Sequence, residues 1–111
     1  MEQAEILDHF RRTNALLDGH FVLSSGLHSP KYLQCALALQ HPADAARFGA
    51  AIAEQFREQR FNTVASPAIG GLVIGFAVAQ ALVVRFIWSE WHNGEMILRR
   101  VFTLDEAERI L

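Results

Sequence analysis

Lysine is nearly missing from this 111-residue chain: of ten cationic side chains nine are arginine, and Lys31 is the exception. No GxxxxGK loop followed by Ser or Thr is present, and no lysine is available to build one. Cysteine is almost as scarce. Cys35 alone excludes an internal disulfide and a Cys-rich zinc site, reads as a buried small hydrophobe, and makes a reducing, cytoplasmic setting the default. Charge of one sign is lacking too: a net −2 argues against nucleic acid or an anionic membrane as partner. The first residues, Met1 to Glu5, are acidic and carry no apolar core, so no signal peptide is expected. His9, His20, His28, His41 and His92 fall in no metal-ligand spacing, and no metal site is expected from them. A GxSxG nucleophile elbow, a GxGxxG fingerprint, internal repeats and low-complexity stretches are likewise absent.

What the chain has is apolar mass, 51% of residues, enough for one domain. Ala68 to Val84 runs seventeen residues without a charge. Hydropathy alone sets it at the short end of a membrane span. Gly70, Gly71, Gly75 and Gln80 within it, Pro67 before it, and strand-like flanks favour a buried strand–helix–strand instead. The remaining pattern predicts a helix over Glu2–Leu17 with Ile6, Phe10, Thr13 and Leu17 on one face, stopped by Asp18-Gly19. Extended segments are expected at Phe21–Ser25 and Lys31–Ala38, separated by Gly26–Pro30. An amphipathic helix is expected over Pro42–Gln59, with Ala45, Phe48, Gly49, Ile52, Ala53 and Phe56 inward. A strand at Asn62–Pro67, a helix to Leu82 and a strand at Arg85–Ser89 follow. Trp91–Glu95 reads as a polar loop with an Asn93-Gly94 turn, and Met96–Phe102 as its hairpin partner. Arg109–Leu111 reads as the start of a further strand. The order is that of an α/β fold with a parallel sheet and flanking helices.

Three segments have the residue types for chemistry. Ala65-Ser66-Pro67-Ala68-Ile69-Gly70-Gly71 joins a strand to a helix. Its glycines admit close approach of a ligand, and the helix start offers free N–H groups to a phosphate; the competing reading is glycine used for packing. Leu23–Tyr32 gathers Ser24, Ser25, His28, Ser29 and Lys31, with Tyr32 as a stacking face, although ordinary turn chemistry accounts for most of it. Glu90–Arg100 holds His92 and the pair Arg99-Arg100, which point to opposite faces if the strand is regular.

In combination these segments resemble the orotate phosphoribosyltransferases of the type I phosphoribosyltransferase family. The resemblance is carried by Thr13–Phe21 with Leu23–Ser29, by Tyr32–Ala36, by Ser66–Gly71 with Gly75, and by Asn93–Met96 with Leu98–Arg100 and Phe102. It runs almost the length of the chain. It implies transfer of the phosphoribosyl group of phosphoribosyl pyrophosphate (PRPP) to orotate, giving orotidine monophosphate and pyrophosphate in pyrimidine biosynthesis. Mg²⁺ carried by PRPP is the implied cofactor, and a homodimer the implied assembly. By the same resemblance Ser24, Ser25 and Tyr32 belong to a hood over orotate. Ala68, Ile69, Gly70 and Gly71 form the pyrophosphate loop, with Glu90, Arg99 and Arg100 as further PRPP contacts. Glu90–Met96 is a mobile loop that reaches a neighbour's site, with His92 as its candidate catalytic group.

The implied fold is a partial type I phosphoribosyltransferase: one incomplete domain, with helix and hood hairpin over residues 1–40 and the first part of the α/β core over residues 41–111. The chain departs from the family pattern at four places. The acidic pair and Thr/Gly-rich loop for the ribose 5′-phosphate are expected just after Leu111. Ser24 stands where many members have lysine, Trp91 stands where arginine is expected, and the mobile loop has no lysine. On that basis the isolated segment is expected to be inactive. The alternatives are a non-catalytic remnant serving as a binding or dimerisation module, and a membrane-associated protein built on Ala68–Val84.

Overall fold

Helix α1 (Gln3–Arg12) ends where the backbone turns left-handed at Asn14. Asn14 N–H donates to the Arg11 carbonyl and Ala15 N–H to that of Phe10, a Schellman closure with asparagine at its left-handed position. The helix therefore stops short of the expected Leu17, and Asp18-Gly19 has no part in ending it. Leu16 and Leu17 instead open strand β1 (Leu16–Val22), which pairs antiparallel with β2 (His28–Leu33). Gly19 marks the irregularity between Asp18 and Phe21, and the Phe21 ring lies across it. The extended stretch expected to reach Ala38 ends at Leu33, and Cys35–Ala38 forms a short helix, α2. Buried His9 places Nε2 at 2.8 Å from the Ala38 carbonyl oxygen, so a histidine rather than an aliphatic side chain ties α1 to α2.

The computed structural model describes residues 1–111. They divide into two compact units, Met1–His41 and Pro42–Leu111. The elements above make up the first.

In the second, α3 (Pro42–Phe56) starts on proline, which suits the first helical turn, and buries Ala45, Phe48, Gly49 and Ala53. A single 3-10 turn, Arg57–Gln59, completes the stretch expected to be helical. Strand β3 (Thr63–Pro67) pairs in parallel with β4 (Arg85–His92), and α4 (Leu72–Leu82) is the crossover between them. On the other edge of β3, Leu111 N–H donates to the Thr63 carbonyl and Ala65 N–H to that of Leu111, so residues 109–111 run parallel to it. The core is Val64, Val78 and Ala79, with Ile52, Ile74, Leu82, Val84, Phe86 and Leu111 packed round it. Gly75 lets α4 lie on the sheet: a Cβ there would stand 2.5 Å from the Phe86 ring and from Ser66 Oγ. At eleven residues α4 is about 16 Å long, and no helix is long and apolar enough to cross a membrane.

Strand β4 continues past the expected end at Ser89. Only Asn93 and Gly94, both at positive φ, form the turn to β5 (Glu95–Ile97). Asn-Gly satisfies the left-handed demand of a two-residue hairpin, so Trp91 and His92 remain in the ladder. Strand β5 is shorter than expected, and Leu98–Phe102 leaves the sheet. Arg99 and Arg100 are therefore not on opposite faces of a strand.

Candidate functional site

The loop Ala68–Gly71 leaves the carboxyl end of β3, the position where ligands bind in open parallel sheets. Ala68 N–H donates to Ser89 of β4 at 2.7 Å, and the Ala68–Ile69 peptide is cis. The loop closes by Gly71 N–H to the Pro67 carbonyl (2.9 Å) and Leu72 N–H to that of Ile69 (3.1 Å), with Ser66 Oγ–H on the Gly71 carbonyl (2.8 Å). The amides of Ile69 and Gly70 have no partner within the chain, and both residues are exposed. The Ile69 side chain is 84% exposed and turned away from the core.

The two glycines differ. A Cβ on Gly71 would meet the Pro67 carbonyl oxygen at 2.8 Å and Ser66 Cβ at 2.9 Å, so Gly71 serves packing. A Cβ on Gly70 would meet nothing within 4 Å. The mouth of this loop is open, with two unpaired N–H donors at the start of an α-helix. That is an arrangement for an anion.

Glu90 follows Ser89 and stands beside this loop, since Pro67 and Ser89 are register partners. Its carboxylate is held in a fork by Arg100, with Nε at 2.8 Å and Nη2 at 3.0 Å. That hydrogen bond, with the charges of Arg100 and Arg99 added, holds Glu90 below the usual carboxylate range; the same contact raises Arg100. Two of the expected PRPP contacts thus occupy each other, and Arg99 is exposed without such a fork. His92 is set apart. It lies three residues beyond Ser89 along β4, about 10 Å at strand rise, exposed beside the turn.

In the first unit Ser24 and Ser25 sit at the hairpin tip, closed by Leu23 N–H to the Leu27 carbonyl and Gly26 N–H to that of Leu23. Ser25 Oγ accepts from Leu27 N–H at 3.3 Å, and both serines are exposed. Tyr32 is paired with Leu17, four residues along β2 from His28, about 13 Å at strand rise. Its ring lies 5.6 Å from that of Phe21 and not beside the serines. Lys31 is taken by Asp18 across the ladder, which lowers the Asp18 pKa.

A cavity of about 390 Å³ opens on the α4–β4 face, lined by Phe76, Ala79, Gln80, Val84, Phe86 and Trp88. It holds no charged group and does not reach the loop, so it is unsuited to a diphosphate. No group of three or more His, Cys, Asp or Glu side chains converges on a point. The chain's own donors therefore do not build a Mg²⁺ seat, a hard cation that wants several oxygens.

No protein-family profile matches the chain. Individual relatives do. It is 48% identical over 111 residues to an orotate phosphoribosyltransferase of Chlorobium phaeobacteroides and 44% identical over 111 to one of Desulforamulus reducens, covering 100% of this chain and 58% of either relative. With that of Thermus thermophilus it shares 44% over 108 residues, 96% of this chain and 59% of the relative. The chain thus spans less than two thirds of the curated relatives it matches. Among solved structures, Leishmania donovani UMP synthase aligns with a TM-score of 0.79 at 19% identity, over 99% of this chain and 24% of that one. Aeropyrum pernix orotate phosphoribosyltransferase gives 0.64 at 23%, over 84% and 56%. The adenine phosphoribosyl transferase of Trypanosoma brucei gives 0.65 at 12%, over 99% and 54%. The expected α/β fold class is thereby shown: the chain has the fold of phosphoribosyltransferase structures and is similar over its whole length to orotate phosphoribosyltransferases.

Proposed function

We propose that this chain is part of a cytoplasmic orotate phosphoribosyltransferase of pyrimidine biosynthesis, transferring phosphoribosyl from PRPP to orotate. The observation that carries the reading is the open β3–α4 loop with the free amides of Ile69 and Gly70. In the proposed reaction the ribose–pyrophosphate bond breaks as the orotate nitrogen arrives, through a state of oxocarbenium character. The protein's share is to place the two reactants and receive the departing charge. Ile69 and Gly70 N–H groups donate to pyrophosphate oxygens, helped by the positive end of α4. Arg99 adds a cation from the segment after β5. Mg²⁺ carried by PRPP would supply charge neutralisation at the diphosphate, and no carboxylate of this chain is assigned to hold it. Residues 1–40 form the hood, with Ser24 and Ser25 hydrogen-bonding orotate at the hairpin tip and Tyr32 supporting it through Phe21. Residues 41–111 form the first part of the core. The β4–β5 hairpin carries His92 toward the site of a second subunit in a homodimer.

A second reading, a non-catalytic binding or dimerisation module, is favoured by one observation: the Glu90–Arg100 fork leaves neither group free for a ligand. Calorimetry with pyrophosphate and Mg²⁺ separates the two. The phosphoribosyltransferase reading expects binding weaker than micromolar by the 111-residue chain, lost in Gly70→Val, with no orotate consumed. Binding that is absent, or indifferent to Gly70→Val, supports the module.

A further inference from the structure

The hairpin of the first unit carries a feature that sequence spacing conceals and that the proposed reaction does not use. His20 and His28 are eight residues apart, yet the β1–β2 hairpin, with His20 in its irregular stretch and His28 opposite Val22, brings His20 Nε2 to 2.6 Å from His28 Nδ1. The rings face each other at 4.8 Å between centroids, tilted by 38°, and both are exposed. Two imidazole nitrogens thus meet in a hydrogen bond at the surface, where solvent reaches both rings.

We propose that His20 and His28 form a cross-strand chelate for a divalent transition-metal ion of the zinc, nickel or copper type, completed by water. Imidazole nitrogen is a preferred donor for these ions, and hard cations such as Mg²⁺ prefer oxygen. The metric demand is small. Two Zn–N bonds of about 2.0–2.1 Å at a tetrahedral angle set the nitrogens ~3.3 Å apart, so the rings open by roughly 0.7 Å. The proton accounting also closes. One ring now holds its proton on the shared side; binding requires that ring to change tautomer, moving the proton to its outer nitrogen, and releases none. Lys31, the cation of the same hairpin, is paired with Asp18 across the ladder. A metal so held links β1 to β2 one residue pair from the tip that presents Ser24 and Ser25.

The test is calorimetric titration of the full 111-residue chain with Zn²⁺ and, separately, with Mg²⁺. One equivalent of Zn²⁺ is expected to bind, with no competition from Mg²⁺. Either His20→Ala or His28→Ala is expected to weaken binding by about tenfold or more, and His41→Ala to leave it unchanged. Histidine ring resonances read by NMR should shift for His20 and His28 together. Absence of Zn²⁺ binding, undiminished affinity in either single variant, or loss of binding in His41→Ala overturns the proposal. None of these outcomes depends on pyrophosphate binding, so failure here and failure of the proposed activity are distinguishable.

Discussion

At the residue scale, the loop after β3 separates two glycines that are alike in sequence. Gly71→Ala drives a methyl into the Pro67 carbonyl and Ser66, and is expected to cost about 1–3 kcal/mol, read from urea unfolding. Gly70→Ala points into open space and is expected to change stability by less than about 0.5 kcal/mol. Gly70 is therefore the position at which a larger side chain tests ligand access alone; Gly71→Val confounds access with folding. Val83 is a third such position. It closes α4 at φ 58°, donating to the Gln80 carbonyl, and its side chain is 88% exposed. A β-branched residue pays a steric penalty in the left-handed region and here gains no burial in return. Val83→Gly is expected to stabilise the chain by about 0.5–1 kcal/mol, seen as a higher urea midpoint at unchanged slope.

At the element scale, the β4–β5 hairpin is held by its Asn-Gly turn and by the Glu90–Arg100 fork. The fork makes part of the stability depend on pH. Glu90 in the folded chain titrates below its ordinary value of 4.5. Its contribution is complete above that value and disappears as pH falls through the lower folded one. The urea midpoint of the parent chain should therefore drop on acidification by more than that of Glu90→Gln. The two curves converge once Glu90 is protonated; parallel curves across that window would show that the fork contributes nothing. The same protonation frees Arg100, the change the segment needs if it is to offer that cation to a diphosphate.

At the scale of the whole molecule, the two units are unequally provided. Met1–His41 buries little beyond His9, Ala15, Ala38 and Leu39. A unit of that size lies near the limit at which a core sustains itself. Backbone amides of β1 and β2 are expected to exchange with deuterium well before those of β3 and α4, measured residue by residue. The second unit has the opposite excess. Ile69, Val73, Phe76 and Val83 on α4 and at its ends are exposed, and Phe76, 60% exposed, has its ring 6.4 Å from that of Phe86. Exposed apolar surface of that kind binds apolar dyes. Enhanced anilinonaphthalene sulfonate fluorescence is expected, reduced in Phe76→Lys.

Local chemistry made much of this legible in advance. The 3.6-residue pattern of Pro42–Phe56, the Asn93-Gly94 turn and the apolar strand–helix–strand around Gly70 are decided by neighbours in the chain, and the α/β class follows from their order. The end of α1 is harder to read, because Asn14, a residue that tolerates the left-handed conformation, is a weaker mark than Asp18-Gly19 four residues on. Other features depended on pairing across space: the capture of Arg100 by Glu90, burial of His9 against Ala38, the division of labour between Gly70 and Gly71, and the meeting of His20 with His28. Sequence determined which residues could turn, pack or carry charge. Only the tertiary structure decided which of them remain unpartnered, because a hydrogen-bond donor is free or spent according to what the fold brings within 3 Å of it.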